Sequence, residues 1–200
     1  MSYQVSVEDK RTGYQRYLEV WVNLIKDPGL QESVRFALRE APPYFWTKGY
    51  YHTSAPMDEQ VQGGMLRRIY KDCYYVRPLM QAWRFEEYHD VILAATLLHD
   101  CLKFGTDDLL VPKKKHGPDT ADWLRSIWGL DQPDLPSDSL LEKLEDVASI
   151  IHYHDGTAFC DDPVVEDLGS VDDLLQIMGW LVNTVDQVSS RPMTYFAWEA

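Results

Sequence analysis

Two polar residues close an apolar run in which a core would otherwise continue: Val91-Ile-Leu-Ala-Ala-Thr-Leu-Leu98 is followed at once by His99-Asp100. Three more side chains of the same kind stand in comparable places. His116 precedes Gly117-Pro118, His154 follows the apolar positions of 140–151, and Asp186 ends the stretch Trp180-Leu-Val-Asn-Thr-Val185. Burying an imidazole or a carboxylate is costly unless it is paired or coordinates an ion. Neighbouring helical positions point about 100° apart, so a His and an Asp in sequence can approach one ion from two sides. Imidazole and carboxylate together suit Zn, Mn, Fe, Co or Mg, as one ion or two. Each histidine alone is more often a satisfied core residue than a ligand. The chemistry rests on the set.

Helices must bring this set together, and the spacing of apolar residues supplies them. The stripe Tyr17, Leu18, Val20, Trp21, Leu24 and Ile25 predicts a helix over 14–26, ended by Asp27-Pro28-Gly29. A second helix covers 30–40 and stops before Pro42-Pro43. The aromatic segment 44–53 has no period and reads as an ordered loop packed on the core. Residues 58–84 read as a long helix with Met65, Leu66, Ile69, Tyr70, Cys73, Leu79, Met80 and Trp83 on its inner side. Gly63-Gly64 early in it costs about 1 kcal/mol of helix propensity per glycine and points to a close backbone approach. Asp90 is expected to cap the helix that ends in His99-Asp100, while His89 before it shows no partner. Pro118 suits the first turn of a helix opened by His116 and running to Gly129. Another helix starts at Ser137 or Asp138 and leads to His152-Tyr-His154. Ser170 is expected to cap the last one, which carries Asp186. The fold class is all-α, a single helical bundle without repeats or linkers, with N-terminal helices over 1–41, the main domain over 42–192 and a tail over 193–200.

Composition narrows the partners. Of 200 residues 45% are hydrophobic and 26% charged, with a net charge of −13. The first 105 residues are balanced at 13 acidic and 13 basic side chains, whereas the rest carry 19 acidic against 6 basic. A long nucleic acid would be repelled by that half, since phosphate contacts supply most non-specific affinity. The acidity serves as a solvating surface or as a docking face for a basic partner. A small phosphorylated substrate fits better. No apolar stretch reaches the roughly 18 residues of a membrane span, and the N-terminus lacks the features of a secretion leader. Cys73, Cys101 and Cys160 are an odd number at unrelated spacings, which suits free thiols in a reducing cytoplasm.

The order His99-Asp100, His116-Gly, His154, Asp186 resembles the HD-domain metal-dependent phosphohydrolases. The likeness spans about 42–192 and includes Tyr44-Phe-Trp-Thr, Gly63-Gly64-Met-Leu-Arg-Arg68, His99-Asp-Cys-Leu-Lys103 and Asp186-Gln-Val-Ser-Ser-Arg191, as in a branch found in bacteria and their phages. The resemblance implies an HD-like helical bundle in the cytoplasm of a bacterium or phage-infected cell, hydrolysing a nucleotide or short phosphodiester by a metal-activated water. It implies one ion held by a first histidine with His99, Asp100 and Asp186, and a second by Asp100, His116 and His154. Asp100 would bridge the ions or orient the water, Lys103 would assist on the same face, and Arg68, Lys103, Lys115, Arg191 and His52 would meet the substrate. The basic run Lys113-Lys114-Lys115 would then collect phosphate.

One departure stands out. The place of the first histidine is taken by Arg68, and a guanidinium has no lone pair to give a cation. Three outcomes are open: His52 substitutes as a ligand, a single-ion site remains, or Arg68 sets its own charge where an ion would sit. The alternative function is a degenerate HD domain that binds a nucleotide or a protein partner without catalysis. A third reading is a structural or inhibitory acidic protein with incidental histidines. Self-association is left open.

Overall fold

The structure is a computed structural model that describes residues 16–49, 57, 59–106, 113, 116–130, 138–155 and 171–189. Among these residues every regular element is helical and no strand occurs. Residues 16–22 form α1, which buries Leu18, Trp21 and Val22. α2 is Pro28–Glu40, α3 Pro43–Thr47, α4 Gly64–Trp83, α5 His89–Leu98, α6 His116–Trp128, α7 Ser139–Tyr153 and α8 Val171–Ser189, with a 3-10 turn at Glu86–Tyr88. None of these helices is long and apolar enough to cross a membrane.

α5 is the centre. From Val91 to Leu98 every residue is buried, so the helix must be covered on all sides. α2, α4, α7 and α8 supply that cover, while α6 lies outside against α7. The chain can leave this buried helix only through a tight passage, the turns of residues 99–106, and His99-Asp100 opens it. Tyr44 holds the passage in place. Its hydroxyl lies 3.0 Å from the Cys101 carbonyl oxygen and 2.7 Å from that of Gly105, and accepts from the Phe104 N–H at 3.3 Å.

Several local expectations change. Asp27-Pro28 does not end the first helix but starts the second: Pro28 takes the first turn, and Asp27 Oδ1 accepts the Leu30 N–H at 2.9 Å. The described part of the aromatic segment, 44–49, packs on the core as expected, with Tyr44, Phe45 and Trp46 buried, but Pro43–Thr47 is a short helix rather than a loop, and 50–53 lie outside the described residues. α4 begins at Gly64 instead of 58 because Gly63 adopts a left-handed φ of +76°. The close approach expected at the glycine pair is there: a Cβ on Gly64 would fall 1.5 Å from the Glu59 carbonyl oxygen. Trp83 is 42% exposed rather than inward, because α4 ends at Arg84, in the last turn beyond the core.

Asp90 does not cap its own helix. Its Oδ2 accepts the N–H groups of Lys26 (2.9 Å) and Asp27 (2.8 Å), tying the α1–α2 junction to α5, while Oδ1 meets His89 Nδ1 at 3.0 Å. His89 is therefore partnered. Asp138 does cap α7, through the Leu140 N–H at 3.0 Å. The expected Ser170 cap, the 193–200 tail, His52, Lys115 and Arg191 lie outside the described residues.

Candidate metal centre

Four helix ends meet at the passage. His99 and Asp100 follow α5, His116 opens α6, His154 follows α7, and Asp186 lies in the last turn of α8. His99 and Asp100 are fully buried, and His154 and His116 retain 3% and 8% exposure. His154 stands between the other two rings, its centroid 5.0 Å from His99 and 4.8 Å from His116. Gly117 permits this proximity: a Cβ there would lie 2.9 Å from His154 Nδ1 and 2.7 Å from the Ile151 carbonyl oxygen.

All three rings are oriented the same way. His99 Nδ1 lies 2.8 Å from the Thr96 carbonyl oxygen, His154 Nδ1 2.6 Å from that of Ile151, and His116 Nδ1 3.2 Å from that of Lys113. A carbonyl only accepts, so each Nδ1 carries the proton and each Nε2 is left with a lone pair. Those lone pairs converge. His116 Nε2 is 3.1 Å from His154 Nε2 and 2.8 Å from Asp100 Oδ1, and His99 Nε2 is 3.7 Å from Asp100 Oδ1. Ligand atoms about 2.1 Å from one ion stand roughly 3–3.5 Å apart, and His116 Nε2 and His154 Nε2, at 3.1 Å, have that spacing. His99 Nε2 and Asp100 Oδ1 are buried without a hydrogen-bond partner. Such orphaned atoms are expensive in a protein interior.

The electrostatics agree. Burial, followed by the neighbouring imidazoles, pushes His154 well below the usual histidine range and keeps it neutral. Burial alone would raise the Asp100 carboxyl, but Lys103 and then His99 hold it well below the usual carboxylate range, so it stays charged. Lys103 Nζ donates to Asp100 Oδ2 at 2.7 Å, leaving Oδ1 to face the imidazoles. Burial works against protonating His116, yet its contact with Asp100 Oδ1 outweighs that and raises it. A second proton on His116 is thus what relieves the facing lone pairs when no cation does.

The fifth expected residue is differently placed. Asp186 Oδ1 accepts from Arg68 Nε at 3.0 Å and from Arg68 Nη2 at 2.8 Å. Arg68 is wholly buried, with Nε 3.6 Å from Asp72 Oδ1 and Nη1 3.8 Å from Glu59 Oε2. It points into carboxylates of its own chain, which corrects its expected place at the substrate. Burial pushes Asp186 up, but the Arg68 and Lys103 charges bring it down to about 2. Lys103 likewise meets Asp100 before any outside group, at 8% exposure. Of the lysine run, Lys113 donates to Asp119 at 2.7 Å.

Four participants escaped the sequence reading. Asp155 Oδ1 lies 3.3 Å from His116 Nδ1 and 3.5 Å from His154 Nε2, and its Oδ2 accepts the Gly117 N–H at 2.7 Å. Asp72 accepts from Ser189 Oγ, and its Oδ2, without a hydrogen-bond partner, is 3.9 Å from His99 Nε2. Lys71 donates to Glu59 in the same buried layer. His154-Asp155 repeats the His-Asp pair of 99–100, and Asp72 follows Arg68 by one turn, so both left a signal in the sequence. Glu59 and Lys71 left none.

Among the described residues three sets have the composition and closeness to hold a metal ion: His99, Asp100 and His154; His116, His154 and Asp155; and Asp72, His99 and Asp186. Comparisons with protein-family models, with curated proteins and with solved structures found no match to this chain.

Proposed function

We propose that the chain is a metal-dependent phosphohydrolase of HD-domain type, acting on a nucleotide or other small phosphate ester. The observation that carries the reading is the gathering of His99, His116 and His154 Nε2 about Asp100 Oδ1 in a buried place, with His99 Nε2 left without a hydrogen-bond partner. His99, Asp100, His116 and His154 would hold a divalent ion, which would supply a hydroxide nucleophile near neutral pH and offset charge developing on phosphoryl oxygens.

The chain's own residues do the rest. The Thr96, Lys113 and Ile151 carbonyls hold the rings with Nε2 forward, as backbone partners of ligating histidines do. Lys103 keeps Asp100 ionised and aims its Oδ1 inward. Asp155, its carboxyl raised chiefly by burial, lies beside His116 at the rim and is placed to take or return a proton. The acidic second half of the chain disfavours a long polyanion, which leaves small substrates. A second reading, a domain that binds its ligand without turnover, is favoured by the burial of Arg68 against Asp186.

The test is phosphate release from a panel of nucleotides, cyclic nucleotides and dinucleotides by protein loaded with Mn²⁺ or Zn²⁺. Turnover abolished in His154→Ala and in Asp100→Asn supports the first reading. Ion binding without turnover on any member favours the second. No ion uptake at all overturns the first reading and favours the second.

A further inference from the structure

Asp72, His99 and Asp186 form a set as close-packed as the two histidine-rich ones, with ligand atoms all within 4.8 Å of one another. It differs in one respect. A positive charge is already there. The Arg68 guanidinium donates twice to Asp186 Oδ1 and lies 3.6 Å from Asp72 Oδ1, with no exposure to solvent. Unlike a histidine or a lysine, it cannot lose its proton to make room for an ion.

His99 sharpens the point. Its Nε2 faces Asp100 Oδ1 at 3.7 Å on one side and Asp72 Oδ2 at 3.9 Å on the other. With Nδ1 donating to Thr96, a single lone pair is left, and one lone pair serves one ion.

We propose that the centre is built for one divalent cation, on the His99, Asp100, His116 and His154 side, and that Arg68 stands permanently in the second cation position against Asp72 and Asp186. This rests on the metal-dependent reading above. It makes Arg68 a positioning residue that replaces an ion, not a contact for substrate.

Elemental analysis of the full chain after loading with Mn²⁺ and exhaustive dialysis tests it, together with electron paramagnetic resonance of the bound Mn²⁺. The wild type is expected to retain one ion per chain with the spectrum of an isolated ion. Arg68→His is expected to retain two, with exchange coupling between them. Two coupled ions in the wild type overturn the proposal. So does an R68H protein that folds and still holds one. Should R68H fail to fold, the wild-type spectrum alone decides. Absence of any ion from both proteins defeats instead the metal-dependent reading beneath it, a different result from either of these.

Discussion

The buried polar cluster has two ends that meet at His99, and they solve one electrostatic problem in different ways. At the α4–α8 end, Arg68 and Lys71 lie directly on Asp186, Asp72 and Glu59, so the carboxylates there meet cations that cannot leave. At the α5–α6–α7 end, imidazole nitrogens and Asp100 Oδ1 face one another at 2.8–3.7 Å, with Lys103 the one fixed cation among the described residues. The first end carries permanent cations of its own. The second has the composition and closeness to hold an exchangeable one.

The largest effect is expected from breaking the Arg68 end. Arg68→Met leaves Asp186, Asp72 and Glu59 without their guanidinium and should cost about 3–5 kcal/mol in urea unfolding. Adding Asp186→Asn should recover part of that loss. Equal stability of R68M and wild type would remove the contrast between the ends.

A smaller effect measures the histidine end. A divalent ion at about one hundred times its dissociation constant should add about 2.7 kcal/mol, or roughly 5–10 °C in melting temperature for a chain of this size. EDTA should reverse the gain, and His154→Ala should abolish it while leaving the R68M penalty intact. A melting temperature indifferent to ions would contradict the assignment.

The seat of Glu59 offers a finer probe. A Cβ on Gly64 would lie 1.5 Å from the Glu59 carbonyl oxygen, so Gly64→Ala must push that segment outward. The expected cost is about 1–3 kcal/mol, with little change in ion affinity at the other end. Isothermal titration beside a thermal melt separates the two.

The weakest effect lies outside the cluster and serves as its control. Lys143 donates to Asp27, which caps α2, in a pair partly open to solvent. Lys143→Met should cost no more than about 1 kcal/mol. That hydrogen bond, followed by the Leu30 N–H, holds Asp27 below the usual aspartate value. A depressed folded value means stability present at neutral pH and lost as pH falls through it. The variant's stability should therefore fall less steeply in acid than that of the wild type. An unchanged acid limb would show that Lys143 does not tune Asp27.

How much of this was legible along the chain depended on distance. The helices were, because apolar spacing acts within one or two turns. Their ends were less so: Gly63 moved the start of α4 through its left-handed backbone, and Asp27 served the following helix instead of closing the preceding one. His99, Asp100, His116 and His154 were found since each interrupts or follows an apolar run, where a polar residue must have a reason. Asp155 sat in plain view as a second His-Asp pair. Glu59 could not be found at all, since an acidic residue before a helix is ordinarily solvated and only its burial under α4 says otherwise.

By itself the sequence determined that this is a bundle of helices and which side chains end up where a core should be apolar, because both follow from patterns a few residues long. Only the tertiary structure decided which charges answer one another. Arg68 and Asp186 are 118 positions apart, and their contact follows from α4 packing on α8 rather than from any local preference. The energy of a buried charge depends on what lies within a few ångströms of it, and that neighbourhood exists only after folding.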